Sequence, residues 1–150
     1  MKYTIYLHLM EKNFIKDLED GVLEVVENID VEIFHGSTKS LRKRIFDGLK
    51  KKGWSSNVKL STQSNINITG INGKTAICLQ TGNMGRFYAD LLKLQFLFQK
   101  GKINSAIYVL PTISLAKKMG SNLANFERLV LELKLFSKVI TVPIFVIGIH

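Results

Sequence analysis

"GKTAICLQTGNMGRFYADLLKLQFLFQKGKINSAIYVLPT", residues 73–112, is the stretch whose reading decides the architecture. "KTAICLQ" (74–80) is an apolar run of strand length directly after the pair Asn72-Gly73. Asn-Gly between two alternating runs predicts a β-hairpin closed by a type I′ turn, because both residues tolerate positive φ. Its partner strand is "NINIT" (65–69), itself preceded by a short run, "NVKLSTQ" (57–63). "MGRFYADLLKLQFLFQ" (84–99) has helical length and an apolar face too wide for an exposed helix, so it packs on a sheet. "SAIYVLP" (105–111) then reads as a strand buried on both faces.

Working outward, "ISLAKKM" (113–119) and "NFERLVLELKLFS" (125–137) are helices, and "PIFVIGI" (143–149) is a final apolar strand. Strands alternating with helices imply an α/β fold: a parallel or mixed sheet with a β-hairpin and flanking helices. Upstream, "YTIYLHL" (3–9) fits either a strand or a first helical turn. "NFIKDLEDGVLEVVEN" (13–28) is an amphipathic helix with an acidic outer face, and "VEIF" (31–34) reads as a short strand. "STKSLRKRIFDGLKKKGW" (37–54) is a helix that Ser37 or Thr38 can cap, with Leu41, Ile45 and Leu49 as its apolar stripe and Trp54 as a core anchor. At 150 residues and 46% hydrophobic content, the chain fits one domain spanning residues 1–150.

The formal charge of +9 is unevenly placed. Residues 1–32 hold eight acidic and three basic side chains, net −5, and the remainder holds four acidic and eighteen basic, net +14. A strongly positive surface repels itself unless a polyanion relieves it, which makes nucleic acid the leading partner. The basic residues are spread over several elements instead of lining one amphipathic helix, which argues against a membrane surface. No apolar stretch approaches the length of a membrane span or a secretory signal. The single cysteine, Cys78, permits no internal disulfide and no multi-thiolate zinc site, which points to a reducing, cytoplasmic location.

Between Asp47 and Asp90 there is no acidic residue, although this interval contains the strand ends where a catalytic site would be built. Hard cations need carboxylate oxygens, so the interval offers no site for one. His8, His35 and His150 lack the spacing of a metal motif, and no glycine-rich phosphate loop or nucleophile elbow is present. His35 precedes the basic helix, where a turn histidine exposed to solvent competes with a phosphate donor.

"QTGNMGRFYADLLKLQ", with "AIYVLPT" downstream and "KGW" at the end of the basic helix, resembles type II restriction endonucleases of the BglII and BstYI kind, in the PD-(D/E)XK nuclease superfamily. The resemblance runs from Trp54 to the closing "VPIFVIGI". It implies a site with an Asp at the end of one hairpin strand, a Glu near the end of the next and, in this subgroup, a Gln two residues later. The two acids hold a divalent cation that polarises the phosphate and activates water. Gln80 matches the third position, whereas Cys78 stands where the Glu belongs and Thr69 where the Asp belongs. Glu24 or Glu27 of the first helix is the alternative source of one ligand. Cys78 as a nucleophile lacks an adjacent base and competes with a plain core role.

Three functions follow as expectations. The first is a catalytically degenerate nuclease fold that grips double-stranded DNA without a metal. It would hold phosphates through Lys39, Arg42, Lys43, Arg44 and Arg86, and base edges through Asn65, Asn83 and Gln80. The second is a working Mg²⁺-dependent endonuclease with an altered site. The third is an interaction subunit that no longer binds DNA. The resemblance also implies a homodimer, because palindromes are read with two-fold symmetry, or a non-cutting subunit beside an active partner.

Overall fold

The computed structural model describes residues 1–63 and 65–150. In chain order the elements are β1 (Tyr3–His8), α1 (Lys16–Glu27), α2 (Thr38–Lys51), β2 (Val58–Lys59), β3 (Asn67–Ile68), β4 (Gly70–Asn72), β5 (Thr75–Leu79), α3 (Arg86–Gln99), β6 (Ser105–Pro111), α4 (Ile113–Met119), α5 (Phe126–Leu135) and β7 (Ile144–Ile149). Five strands form one mixed sheet in the order β1-β7-β6-β5-β4, and β2 with β3 forms a separate two-stranded ladder. β5, β6 and β7 run parallel to one another, and the two edge strands β4 and β1 pair with them antiparallel.

The period-two alternation of the central strands explains the layers. Ala76, Cys78, Tyr108, Leu110, Ile144 and Val146 face one side, where Phe87, Leu91 and Leu94 of α3 and Leu129 and Leu133 of α5 cover them. Ile77, Leu79, Ile107, Val109, Phe145 and Ile147 face the other side, under Val22 and Val26 of α1, the Leu41, Ile45 and Leu49 stripe of α2, and Leu115 and Met119 of α4. Helices on both faces are what strands with no polar face require. Trp54 lies in the second of these cores. Asn125 caps α5 by accepting the Arg128 N–H at 3.1 Å.

Buried polar groups hold the connections. The Gln95 side chain on α3 accepts the N–H groups of Thr141 and Val142 at 2.8 and 3.0 Å and donates to Thr141 Oγ1 at 2.8 Å, which ties the segment entering β7 to α3. Gly70 lets the chain pass close to another backbone: a Cβ there would lie 2.2 Å from the Ser55 carbonyl oxygen.

Several sequence expectations are corrected. The strand facing β5 is β4, Gly70–Asn72, and not 65–69, of which Asn67–Ile68 pairs with β2; Asn72 pairs with Thr75, so the two-residue turn is Gly73-Lys74. Gly73 alone carries a positive φ of +57°, which is the type II′ pattern and not the expected I′. Residues 31–34 form no strand. Their burial alternates as a strand's does, but among the described residues they pair with no strand of either sheet, and the free edge of β1 stays unpaired. Ser37 stands at the start of α2 without a side-chain cap bond, its hydroxyl instead accepting the Phe34 N–H at 3.3 Å. "YTIYLHL" resolves to the strand β1. Among the described residues no helix is long and apolar enough to cross a membrane.

Candidate functional site

A cleft of about 370 Å³ opens where β5 leaves the sheet. Arg42 from α2 lines one side, Asn57, Asn67 and Thr69 come from the small ladder and its flanks, and Leu79 and Gln80 form the strand exit. Arg86, Asp90 and Lys93 of α3 close it, spaced four and three residues apart so that they share a helix face. Three cations therefore face one carboxylate.

The Leu79 peptide is fixed from two sides. Its N–H donates to Thr69 Oγ1 at 3.0 Å, and its carbonyl accepts from Arg42 Nη1 at 2.6 Å. Gln80 continues the parallel ladder through its backbone N–H to Val109 O at 2.9 Å. Its side-chain oxygen accepts the Gly82 N–H at 2.9 Å, and its nitrogen donates to Asp90 Oδ2 at 2.6 Å. The orientation follows from the partners, since a carboxylate only accepts. Asp90 Oδ2 also accepts the Tyr108 hydroxyl at 2.9 Å, and Oδ1 accepts Lys93 Nζ at 3.1 Å. Burial, then the Asp90 charge, pushes both the Tyr108 hydroxyl and the Cys78 thiol well above their ordinary pKa values. Cys78 is a buried core thiol in which burial outweighs the nearby Lys93 and Arg42 charges, the opposite of what a nucleophilic thiolate needs.

Thr69 and Cys78 come together: β4 begins at Gly70 opposite Ile77, so Thr69 lies beside the Cys78-Leu79 step. Arg42, Thr69, Gln80 and Arg86 share the cleft, and Cys78 sits beneath it in the core. The other candidates lie outside its lining. Lys39 is exposed one turn from Arg42, and Lys43 pairs with Asp47 at 2.7 Å on the surface. Arg44 faces a larger groove of about 450 Å³ between α1 and α2, where its neighbours include Asp30 and Asp47. That groove takes no residue from the strand ends. Asn65 and Asn83 are exposed, and Asn83 Oδ1 accepts the Gly85 N–H at 3.0 Å. Glu24 pairs with Lys52 at 2.5 Å in the α1–α2 groove, and neither it nor Glu27 reaches the cleft. His35 is exposed and does not line the cleft.

Sequence reasoning missed Asp90, Lys93, Tyr108, Asn57 and Asn67. A signal existed for the first two: Arg86, Asp90 and Lys93 are polar letters at helical spacing on a helix already read as packed against a sheet.

These residues do not fit a Mg²⁺ ion. A hard cation needs several free oxygen ligands, and carboxylates above all. The Thr69 hydroxyl and the Leu79 carbonyl are both engaged, both Asp90 oxygens hold donors, and the buried Asn67 Oδ1, which has no partner among the described residues, is a single amide oxygen where a hard cation needs several oxygens. Among the described residues no three His, Cys, Asp or Glu side chains group as a metal site.

The profile of the family described as Restriction endonuclease BglII/BglIII matches residues 8–149. The chain belongs to that family. Its structure is similar to that of the restriction endonuclease BglII in complex with a DNA 16-mer, with a TM-score of 0.87 at 15% identity, over 100% of this chain and 78% of that one. It is also similar to free BglII, with a TM-score of 0.79 at 18% identity, over 100% of this chain and 80% of that one. No curated protein matches in sequence. The mixed sheet with flanking helices is thus the BglII fold.

Proposed function

We propose that this single-domain BglII-family chain, residues 1–150, binds double-stranded DNA in the cytoplasm and does not cut it. The observation that carries the reading is the pair Thr69 and Cys78, adjacent at the strand exit beside a Gln80 that keeps its place, in a cleft with three cations and one fully engaged carboxylate. Metal-dependent hydrolysis by two acids has no acids to use at these positions. The cleft charge and the DNA-bound BglII relative favour a duplex as the ligand.

Arg42 and Arg86 would take phosphates inside the cleft and Lys39 one turn further along α2, with Lys43 and Arg44 adding a weaker peripheral field. Asn65 and Asn83, both exposed, would face base edges. Apolar side chains exposed on α3 and α5, among them Leu92, Phe96, Leu131 and Leu135, fit pairing with a second copy of the chain, and sedimentation tests that directly.

Family membership favours a second reading, Mg²⁺-dependent cleavage. Plasmid incubated with Mg²⁺ or Mn²⁺ separates the two: unchanged supercoiled DNA with salt-sensitive duplex binding is expected, and reproducible fragments would overturn the non-cutting reading. Absence of duplex binding at low salt would overturn the DNA reading altogether.

A further inference from the structure

We infer that the cleft holds a phosphodiester anion directly through Arg42, Arg86 and Lys93, with the Arg42 guanidinium already seated on the strand-exit carbonyl between positions 78 and 80, so that binding does not require Mg²⁺. The inference rests on the DNA-binding reading and specifies how that same site meets its ligand.

The Leu79 carbonyl is a backbone oxygen at the strand exit, between Cys78 and Gln80. Arg42 donates to it at 2.6 Å, so this strand-exit carbonyl already carries a guanidinium. A guanidinium carries five donors, and this bond uses one, which leaves the rest of the planar fork for anion oxygens. A divalent ion brought to the same oxygen would meet that positive charge at contact distance, with no carboxylate at position 69 or 78 to offset the repulsion.

The two other cations complete the arrangement. Lys93 is largely buried and anchored on Asp90, and its ammonium has donors to spare beyond that bond. Arg86 is exposed, and among the described residues no acidic side chain pairs with it. Asp90, the one group in the cleft that would repel an anion, is occupied by Gln80, Tyr108 and Lys93. A concave site with this charge excess concentrates field lines on an entering anion.

The test measures binding of a dye-labelled duplex of mixed sequence by fluorescence anisotropy, in EDTA and in Mg²⁺ at matched ionic strength. The wild type is compared with Arg42→Ala and Arg86→Ala, and inorganic phosphate is titrated into isotope-labelled protein while the arginine side-chain resonances are followed. No tightening by Mg²⁺ is expected, since a divalent cation can here only compete for the DNA phosphates. Each variant should weaken duplex binding about five-fold and flatten the salt dependence by about one unit, and phosphate should shift the Arg42 and Arg86 side-chain signals. Arg86→Ala is the arm immune to misfolding, because Arg86 is exposed and supports no buried group. Tightening by Mg²⁺ of about ten-fold or more overturns the inference. Duplex binding that survives both substitutions, with unmoved phosphate signals, overturns it while leaving DNA binding intact. Phosphate shifts without duplex binding uphold the anion site and sink the DNA reading, and silence in both arms sinks both.

Discussion

Replacing Asp90 with Asn gives the sharpest test of the cleft, because the anion reading and a metal reading predict opposite signs. Asp90 Oδ2 takes Gln80 Nε2 at 2.6 Å and Tyr108 OH at 2.9 Å, and Oδ1 takes Lys93 Nζ at 3.1 Å. An Asn oxygen placed at Oδ2 keeps the first two bonds and turns its amide group toward Lys93, which loses its partner. A charge-assisted hydrogen bond contributes about 1.5–3 kcal/mol, and partial rehydration of Lys93 at the cleft mouth trims the net cost to about 1–2 kcal/mol. For a chain of this size that lowers Tm by about 2–8 °C. The cleft meanwhile gains one positive charge, and Lys93 becomes free for phosphate. One extra phosphate contact adds about 0.9 to the salt slope, a gain of at most about eight-fold at 0.1 M salt and about three-fold if the contact is partial. Asp90→Ala supplies the internal control: it strips Gln80 and the fully buried Tyr108 hydroxyl of their acceptor, costing about 3–5 kcal/mol. Thermal unfolding and duplex anisotropy read both effects. Weaker duplex binding by folded Asp90→Asn would refute the electrostatic account, and an Asp90→Ala as mild as Asp90→Asn would refute the account of the Tyr108 bond.

Thr69→Asp combined with Cys78→Glu should bind Mn²⁺ more tightly when Arg42→Gln is added than when Arg42 is kept, as read by calorimetry. Equal affinities would show that Arg42 does not compete for the cation position. Gln95→Leu leaves the Thr141 and Val142 amides without an acceptor and should cost about 2–4 kcal/mol in urea unfolding, so a loss below about 1 kcal/mol would remove the clamp. His8 donates from Nε2 to Ile140 O at 2.7 Å, and burial lowers its pKa despite that bond. The unfolded chain therefore binds the proton first, and stability present above pH 6.5 is lost as pH falls toward the depressed folded value, by at most about 1.4 kcal/mol per pH unit. His8→Gln should flatten that limb relative to wild type, and superimposable profiles would exclude His8 as its source. Native Cys78 should resist alkylation until unfolding, and rapid labelling at neutral pH would contradict its burial.

The central strands were legible because residues 75–79 and 105–111 are apolar on both faces, which requires helices on both sides wherever the strands fall in the sheet. The hairpin was legible, but its turn type was not: whether Asn72 belongs to the turn depends on which residue faces Thr75, and only cross-strand register settles that. Asp90 was hidden for a related reason. It sits ten positions after Gln80 and meets it only because the turn at residues 80–85 folds α3 back over the strand exit. The basic run of α2 misled in the other direction, since a helix distributes consecutive letters around its circumference: Arg42 enters the cleft, Lys43 turns to Asp47, and Arg44 turns toward α1.

Those placements bear on why the proposed loss of two acids need not abolish a grip on DNA. Arg42, Arg86 and Lys93 against Asp90 give the cleft a net charge of +2. Two carboxylates at positions 69 and 78 would bring it to zero, and a divalent cation held between them would return it to +2. Replacing both acids with neutral side chains thus removes the need for the metal without changing the charge an incoming phosphate meets. What differs is the carrier: a diffusible ion that polarises the scissile bond is exchanged for a guanidinium fixed on the Leu79 carbonyl. In the proposed reading the guanidinium would hold a phosphate without supplying the water activation that a divalent cation brings, which would separate binding from cutting within one fold.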